Sequence, residues 1–361
     1  MIRRLKIGLV CVMFLMTGCI GGGSTGTISN SGEVVQVTFW HYYSGDTKSQ
    51  MDLIIEEFNK TIGLEKGIEV TGYASDSITQ LENDVLESAL GVVYASEMPD
   101  VFLSYEDKAL ELNELGAIID FNEYLTPEEL SVIEPAFLEE GQFNEIQGIL
   151  PFVKSTELLM LNDTAWQEFA SVSGRTYDDL LTWEGIEEVS QEYYEYTEGK
   201  SFFGIDSLEN FVVVASKGFG VEIFQGESQE TVLDDEALYK IFAYYVENYA
   251  LSYVMQEAQF RSDDIRIGNI IAYVGSSASA MYFPTWIETE EGTQEISLKV
   301  LPYPAFEGTT PYALSQGAGL VISESNEEQE AAAVEFVKFL MERNISFALQ
   351  TSYIPVASSY Y

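Results

Sequence analysis

The sequence predicts an α/β protein of two lobes. Strand and helix patterns alternate from residue 34 onward, the chain is 361 residues long, and neither a repeat nor a low-complexity segment follows residue 33. Alternation of this kind builds a mostly parallel sheet with both faces covered. The length favours two such units over one.

Taken in order, Val34 to Trp40 alternates apolar and polar side chains with β-branched enrichment and reads as the opening strand. His41 to Asp46 reads as a loop, and the next helix turns Leu53, Ile54 and Phe58 inward. Ile68 to Val70 is a second strand. A long helix follows, with Ile78, Leu81, Val85, Leu86, Ala89 and Val93 at helical spacing. Pro99-Asp100 stops any helix and leads into a buried strand, Val101 to Leu103. In the second half, Leu158 to Leu161 reads as a strand and Asn162 to Ala170 as a helix. Thr182 caps a helix carrying Ile186, Val189 and Tyr193. Asp234 opens another, with Leu238, Ile241, Phe242, Tyr245 and Tyr249 inward. Ile270 to Val274 is a strand running into Gly275-Ser276-Ser277-Ala278. Asn326, with Gln329 three residues on, predicts a capping box before the helix of Val334, Val337, Leu340 and Met341.

The N-terminus reads as an address. Arg3, Arg4 and Lys6 precede the apolar stretch Ile7 to Met16, well short of the ~20 residues that span a bilayer. Met16-Thr17-Gly18-Cys19 resembles a bacterial lipobox, with Met16 where Leu is usual. Residues 1–18 are therefore expected to be a signal peptide and Cys19 a lipidation site. The plainer alternative is an ordinary secretory signal with an incidental cysteine. Residues 19–33, rich in Gly and Ser, are expected to form a flexible tether, with a reach of about 20 Å. The other cysteine, Cys11, lies in the leader. A mature chain would then hold no internal disulfide and would depend on its core.

Chemistry that needs histidine clusters is excluded by composition. His41 is the only histidine, so no His-based metal cluster can form and no metal is expected. It is read as a loop histidine beside the cleft, without a nucleophile-elbow motif. No Gly-rich Lys-Ser/Thr phosphate loop occurs, so neither nucleotide nor any other cofactor is expected. The formal net charge is −42, a field that disfavours nucleic acid and anionic headgroups as partners.

Several segments, in order, resemble the family 1 extracellular solute-binding proteins of ABC importers. They are Val37-Thr38-Phe39-Trp40-His41, Met98-Pro99-Asp100-Val101-Phe102, Leu115-Gly116-Ala117-Ile118-Ile119-Asp120 and Leu150-Pro151-Phe152-Val153-Lys154-Ser155-Thr156. Leu161-Asn162-Asp163, Gly275-Ser276-Ser277-Ala278, Gly317-Ala318-Gly319 and Tyr353-Ile354-Pro355-Val356 complete the series. Each motif is weak alone, while their order across the chain is specific. The resemblance implies a two-lobe, periplasmic-binding-protein-like (type II) fold with a ligand cleft between the lobes. Residues 34–151 with 315–350 would form the first lobe and 156–311 the second, with Lys154 a surface charge of the hinge. It implies a monomer, without enzymatic activity, that closes on a carbohydrate-like ligand and delivers it to ABC permease subunits. With the lipobox, its expected place is the cell envelope, held by a lipid to the outer face of the cell membrane or in the periplasm.

The nearest branch is the glycerol-3-phosphate/maltose type. Carried over by motif, it implies ligand contacts at Glu106, Ser155, Ser276, Ser277, Gly317 and Tyr353. Two departures stand out: Ile78 occupies the place of a branch tyrosine, and the chain ends at Tyr361, before the tail that carries a branch arginine. A shortened C-terminus is thus expected. Arg175, Arg261, Arg266 and Arg343 lie outside the matched motifs, which favours a neutral sugar over a phosphate ester.

A sugar needs planar side chains for its C–H faces and polar groups for its rim. Trp40, Tyr42, Tyr43, Trp286 and Tyr312 are candidate platforms near strand ends, with Trp40 and Tyr353 foremost among the aromatic candidates. Most of the 22 Tyr and 21 Phe must nonetheless serve core or surface. Two rival readings are a secreted glycoside hydrolase, which needs two carboxylates at a defined separation, and a sensor not coupled to transport.

Removing Arg3, Arg4 and Lys6 leaves 14 basic against 59 acidic side chains, about −45. Such acidity suits a saline habitat, because salt screens self-repulsion; drift on a solvated surface is the alternative. Under the first reading the melting temperature rises as NaCl is raised from 0.1 M to 2 M. A melting temperature indifferent to salt overturns it.

Overall fold

The computed structural model describes residues 34–361 except 222, 226–229, 232–234, 259 and 290–291. The expected leader, Cys19, the tether and the helix start at Asp234 lie outside the described residues.

Two four-stranded sheets organise the chain. In the first, Val35–His41 lies between Ile68–Ala74 and Val101–Ser104, parallel to both, and Gly319–Ile322 adds antiparallel at the far side of Val101–Ser104. In the second, the order is Leu298–Leu301, Glu157–Asn162, Ala272–Ser276 and Phe203–Ile205, and only the last pair is parallel. The alternation predicted from sequence thus gives a mostly parallel sheet in the first lobe and a mixed one in the second.

The first sheet is fixed by a few polar groups at its margins. Asp100 accepts from the Thr38 N–H (2.7 Å), the Thr38 hydroxyl (2.8 Å) and the Gln329 amide (2.9 Å). One carboxylate thereby ties a central strand to the long helix Glu327–Thr351. Asn59 of the helix Gly45–Lys60 exchanges two hydrogen bonds with the backbone of Val70. Between these, Phe39, Phe58, Phe336 and Phe339 pack edge to face. The second lobe has its own core around Trp166 and Trp183, both fully buried, with the Trp183 ring 4.8 Å from that of Phe211.

Local signals located the elements well. Asn162, Thr182 and Asn326 each accept from a backbone N–H three residues on, as helix caps do. Gln329 does not reach back to Asn326; its amide is taken by Gln36 and Asp100, so the expected box is a simple cap. Several inward positions are corrected. The helix predicted to carry Val93 ends at Ala89, followed by Gly91 at φ +64°, and Val93 is exposed. Leu53, Phe242 and Tyr249 are also exposed, on helix faces turned away from the buried Met51, Ile54 and Phe58 and from the buried Ile241, Tyr244 and Asn248. His41 belongs to the opening strand, where it pairs with Ala74, and is fully buried.

Asn344 makes the long helix a tie-beam. Its amide donates to the carbonyl of Phe152, and its oxygen accepts from the N–H groups of Val356 (3.0 Å) and Ala357 (3.1 Å). Asn344→Ala would take a partner from three backbone groups, those of Phe152 and Val356 buried and that of Ala357 half-buried. A loss of about 2–4 kcal/mol is expected, read as a lowered urea midpoint. A midpoint unchanged from wild type would refute the tie.

Candidate functional site

Two short crossings bring the lobes together. Val153–Lys154 pairs antiparallel with Ile354–Pro355, and Ser155 exchanges backbone hydrogen bonds with Gln316 (2.8 and 2.9 Å). Gly317 allows the crossings to touch. Its φ is +121°, and a Cβ there would lie 2.8 Å from the carbonyl oxygen of Val153. Only glycine fits both constraints.

Beside these crossings lies a cleft of about 450 Å³ with one wall from each lobe. The first lobe contributes Tyr42, Tyr43, Ser44 and Thr47, joined by Tyr353 from the segment after the long helix, which packs on the same core. The second contributes Asp206, Phe260, Asp263, Arg266, Tyr273 and Tyr282, among others. The Tyr42 and Tyr353 side chains lie close enough for each phenol to influence the other's ionisation. Burial pushes the Tyr353 phenol up to about 12 and that of Tyr42 well above its ordinary value. Both are neutral hydroxyls at physiological pH, able to give or take a hydrogen bond. At the rim, the Thr47 hydroxyl meets the Met281 sulfur (3.4 Å) and the Tyr282 hydroxyl meets the Ser44 carbonyl (3.5 Å).

A second hollow, about 280 Å³, lies against the first lobe and includes Tyr105, Glu106, Glu140, Lys154, Gln316 and Gly317. Lys154 is a buried charge here, correcting its reading as a surface one. Its ammonium donates to Glu140 (2.5 Å) and to the Gly317 carbonyl (3.3 Å). A partner across the crossing, which local sequence cannot show, makes the burial tolerable.

The residues singled out from sequence divide among these places. Tyr42 and Tyr353 line the larger cleft, and Glu106 and Gly317 the smaller hollow. Ser155 and Ser277 are buried at the crossing, where the Ser277 N–H donates to Thr156 (2.7 Å) and its hydroxyl accepts from the Thr156 N–H (3.3 Å). Ser276 ends its strand and accepts from the Ala278 N–H (3.3 Å). Trp40 is half-buried and packs toward Leu81, Val85 and Phe102, lining neither hollow. Among the other platforms, Tyr43 lines the cleft, Trp286 stands exposed on a hairpin, and Tyr312 lines a small separate recess. Sequence reasoning missed Asp206, Phe260, Asp263, Arg266, Tyr273 and Tyr282. The one usable signal was the apolar run Phe202 to Ile205 ending on Asp206, since acids at strand ends border such clefts.

Among the described residues, no group of three or more His, Cys, Asp or Glu side chains could hold a metal ion. No helix there is long and apolar enough to cross a membrane.

A family model of bacterial extracellular solute-binding proteins matches residues 54–361. A search of proteins with curated functions finds no match. Among solved structures, UgpB from Mycobacterium tuberculosis, in complex with glycerophosphocholine, superposes with a TM-score of 0.74 at 19% identity, over 90% of this chain and 80% of that one. The GacH receptor of Streptomyces glaucescens, solved unliganded and with acarbose, gives 0.73 at 16% identity, over 91% and 81%. The maltose/maltodextrin-binding domain MalE from Bdellovibrio bacteriovorus, bound to maltotriose, gives 0.71 at 14% identity, over 90% and 82%. At these identities the likeness establishes the two-lobe fold.

Glu157 lies at the crossing, buried, accepting from the Asn210 amide (2.9 Å) and from Gln316. Burial raises its pKa above 4.5; those two hydrogen bonds oppose the rise and Asp206 adds to it. A raised carboxyl pKa means the folded chain holds the proton more tightly than the unfolded one. The stability this gives is full below the unfolded value and is lost as pH climbs through the folded one. Glu157→Gln keeps an acceptor for Asn210 without the charge. Its stability relative to wild type should therefore improve between pH 4 and pH 7 in urea titrations. A pH-independent difference would show that Glu157 ionises without cost.

Proposed function

The chain belongs to the family of bacterial extracellular solute-binding proteins, and from this premise we propose that it captures a sugar or oligosaccharide between its lobes and hands it to the permease of an ABC importer. Family members bind solutes in the cell envelope. The observation that carries the carbohydrate reading is the cleft itself. Tyrosine rings from both lobes form its walls, and neutral hydroxyls and carboxylates stand between them. Rings suit the C–H faces of a sugar, and the polar groups suit its hydroxyl rim. The relatives solved with acarbose and maltotriose support the same reading.

In this proposal residues 34–151 and 315–350 form one lobe and 156–311 the other. The crossings at Val153–Ser155 and Gln316–Gly317 act as the hinge. Tyr42 and Tyr353 offer a platform, Glu106 and Gly317 line the adjoining hollow, and Ser155, Ser276 and Ser277 stand at the crossing beside it, while Trp40 supports the first lobe from its core side. Ligand draws the equilibrium toward the closed form by binding it more tightly than the open one. Delivery of the solute would follow docking of the closed form on a membrane permease, with residues 1–18 as export signal and a lipid on Cys19 as anchor.

Thermal unfolding in the presence of maltose, maltotriose, other oligosaccharides and polyols tests this. A ligand that binds only the folded protein raises the melting temperature. At least one carbohydrate should do so saturably and be recovered intact. Tyr353→Ala should weaken that ligand by roughly tenfold or more. A chain that shifts with none of them, or that consumes the sugar, would defeat the proposal.

A further inference from the structure

The second-lobe wall of the cleft holds a carboxylate that is built in from below. Asp206 follows directly on the strand Phe203–Ile205, and its own N–H donates to the Val274 carbonyl (3.0 Å). Its side chain accepts from the Arg261 N–H (3.3 Å) and remains a quarter exposed, on the cleft side. Beneath it the Arg261 side chain is fully buried. That guanidinium is held by Asp264 (2.6 Å), itself fully buried, and by the carbonyls of Met255 (3.4 Å) and Ala258. Its Nε has no hydrogen-bond partner and lies 3.9 Å from the Asp206 carboxylate. Two glycines clear the space. A Cβ on Gly275 would come within 3.2 Å of the Asp206 side chain, and one on Gly204 within 2.9 Å of the Arg261 stem.

A buried Arg–Asp pair is costly to desolvate, so surface solubility does not account for it. What it does is fix the carboxylate above it. Arg261 cannot move without losing Asp264, so Asp206 keeps one orientation, with an oxygen turned to the aromatic cleft. The other charges on that wall, Asp263 and Arg266, are paired with each other at 3.1 Å. Asp206 is therefore the charged acceptor on this wall that is left for a ligand. A carboxylate is acceptor-only and pairs well with hydroxyl donors, two adjacent ones above all. It repels a phosphate or another carboxylate.

We propose that Asp206 is the second-lobe anchor for the ligand, accepting hydrogen bonds from adjacent hydroxyls of an uncharged polyhydroxylated molecule, and that Arg261 is the positioning residue that holds it. This rests on the family reading above and adds to it the residue that discriminates against anionic esters.

The test compares wild type, Asp206→Asn and Arg261→Lys by calorimetry. The probes are maltose, maltotriose, glycerol, glycerol 3-phosphate and glycerophosphocholine, and thermal unfolding checks each variant's fold. Asp206→Asn keeps shape and removes charge, so it isolates the acceptor without threatening the core. The expected result is a neutral sugar bound by wild type, weakened about tenfold or more by Asp206→Asn. Glycerol 3-phosphate, the anionic probe, should gain in affinity relative to the sugar in that variant. Arg261→Lys, where folded, should weaken the sugar in the same direction and add little to Asp206→Asn in the double variant. A sugar bound equally well by wild type and Asp206→Asn overturns the proposal and leaves the family reading standing. So does a wild type that prefers glycerol 3-phosphate. A folded wild type that binds no probe at all removes the carbohydrate reading, and this inference with it.

Discussion

The site depends on the contact between two chain crossings. Ser155 and Gln316 exchange backbone hydrogen bonds, and Gly317 lets the second crossing lie against Val153 at a distance that any side chain would forbid. Because the crossings are bonded side by side, the two sheets are joined through one narrow strip. Lys154 and Glu157 flank that strip with charges that are buried and answered, the first by Glu140 and the second by Asn210 and Gln316. Asn344 then locks one crossing to the long helix and to the segment Val356–Ala357. The position of Tyr353 follows, since its neighbour Ile354 pairs with Lys154.

Charge is distributed so that the interior stays nearly balanced while the surface does not. The chain has 17 basic and 59 acidic side chains, yet the buried ions meet partners. Arg175 gathers Asp179, Glu188 and Glu192, and Arg343 joins Glu57 to Glu342 at the surface. Such exposed pairs contribute little each. The deep pair Arg261–Asp264 is different, since removing either partner would strand a charge without water. An acidic surface and a cleft wall with a fixed carboxylate act in the same sense on an approaching anion.

What was legible in the sequence was whatever local rules govern. The opening strand, the caps at Asn162, Thr182 and Asn326, and the break at Pro99 follow from neighbours within a few residues. The order of elements also carried the family, because crossings and strand ends recur as short ordered motifs. The parts that were not legible depend on distant partners. Asp206 acquires its meaning from Arg261, and Lys154 from Glu140 and Gly317. Aromatic residues misled for another reason. With 43 Tyr and Phe in all, ring identity alone cannot separate Tyr42 in the cleft from Tyr249 on the surface or Tyr244 in the core.

In the closure proposed above, the same geometry would couple binding to closing. Across the cleft rim, the lobes meet through a hydroxyl–sulfur contact at Thr47 and Met281 and a long hydrogen bond from Tyr282 to Ser44. Sulfur is a weak acceptor, and a 3.5 Å bond is near the limit of usefulness. The crossing hydrogen bonds join backbone to backbone at the crossings themselves and lie away from this rim. A molecule that touched only the Tyr42–Tyr353 wall would bind open and closed forms alike and shift nothing. Only one that spans from those rings to Asp206 and Tyr273 gains contacts by closing. Selectivity and closure therefore draw on the same few side chains, and a change at either wall must alter both.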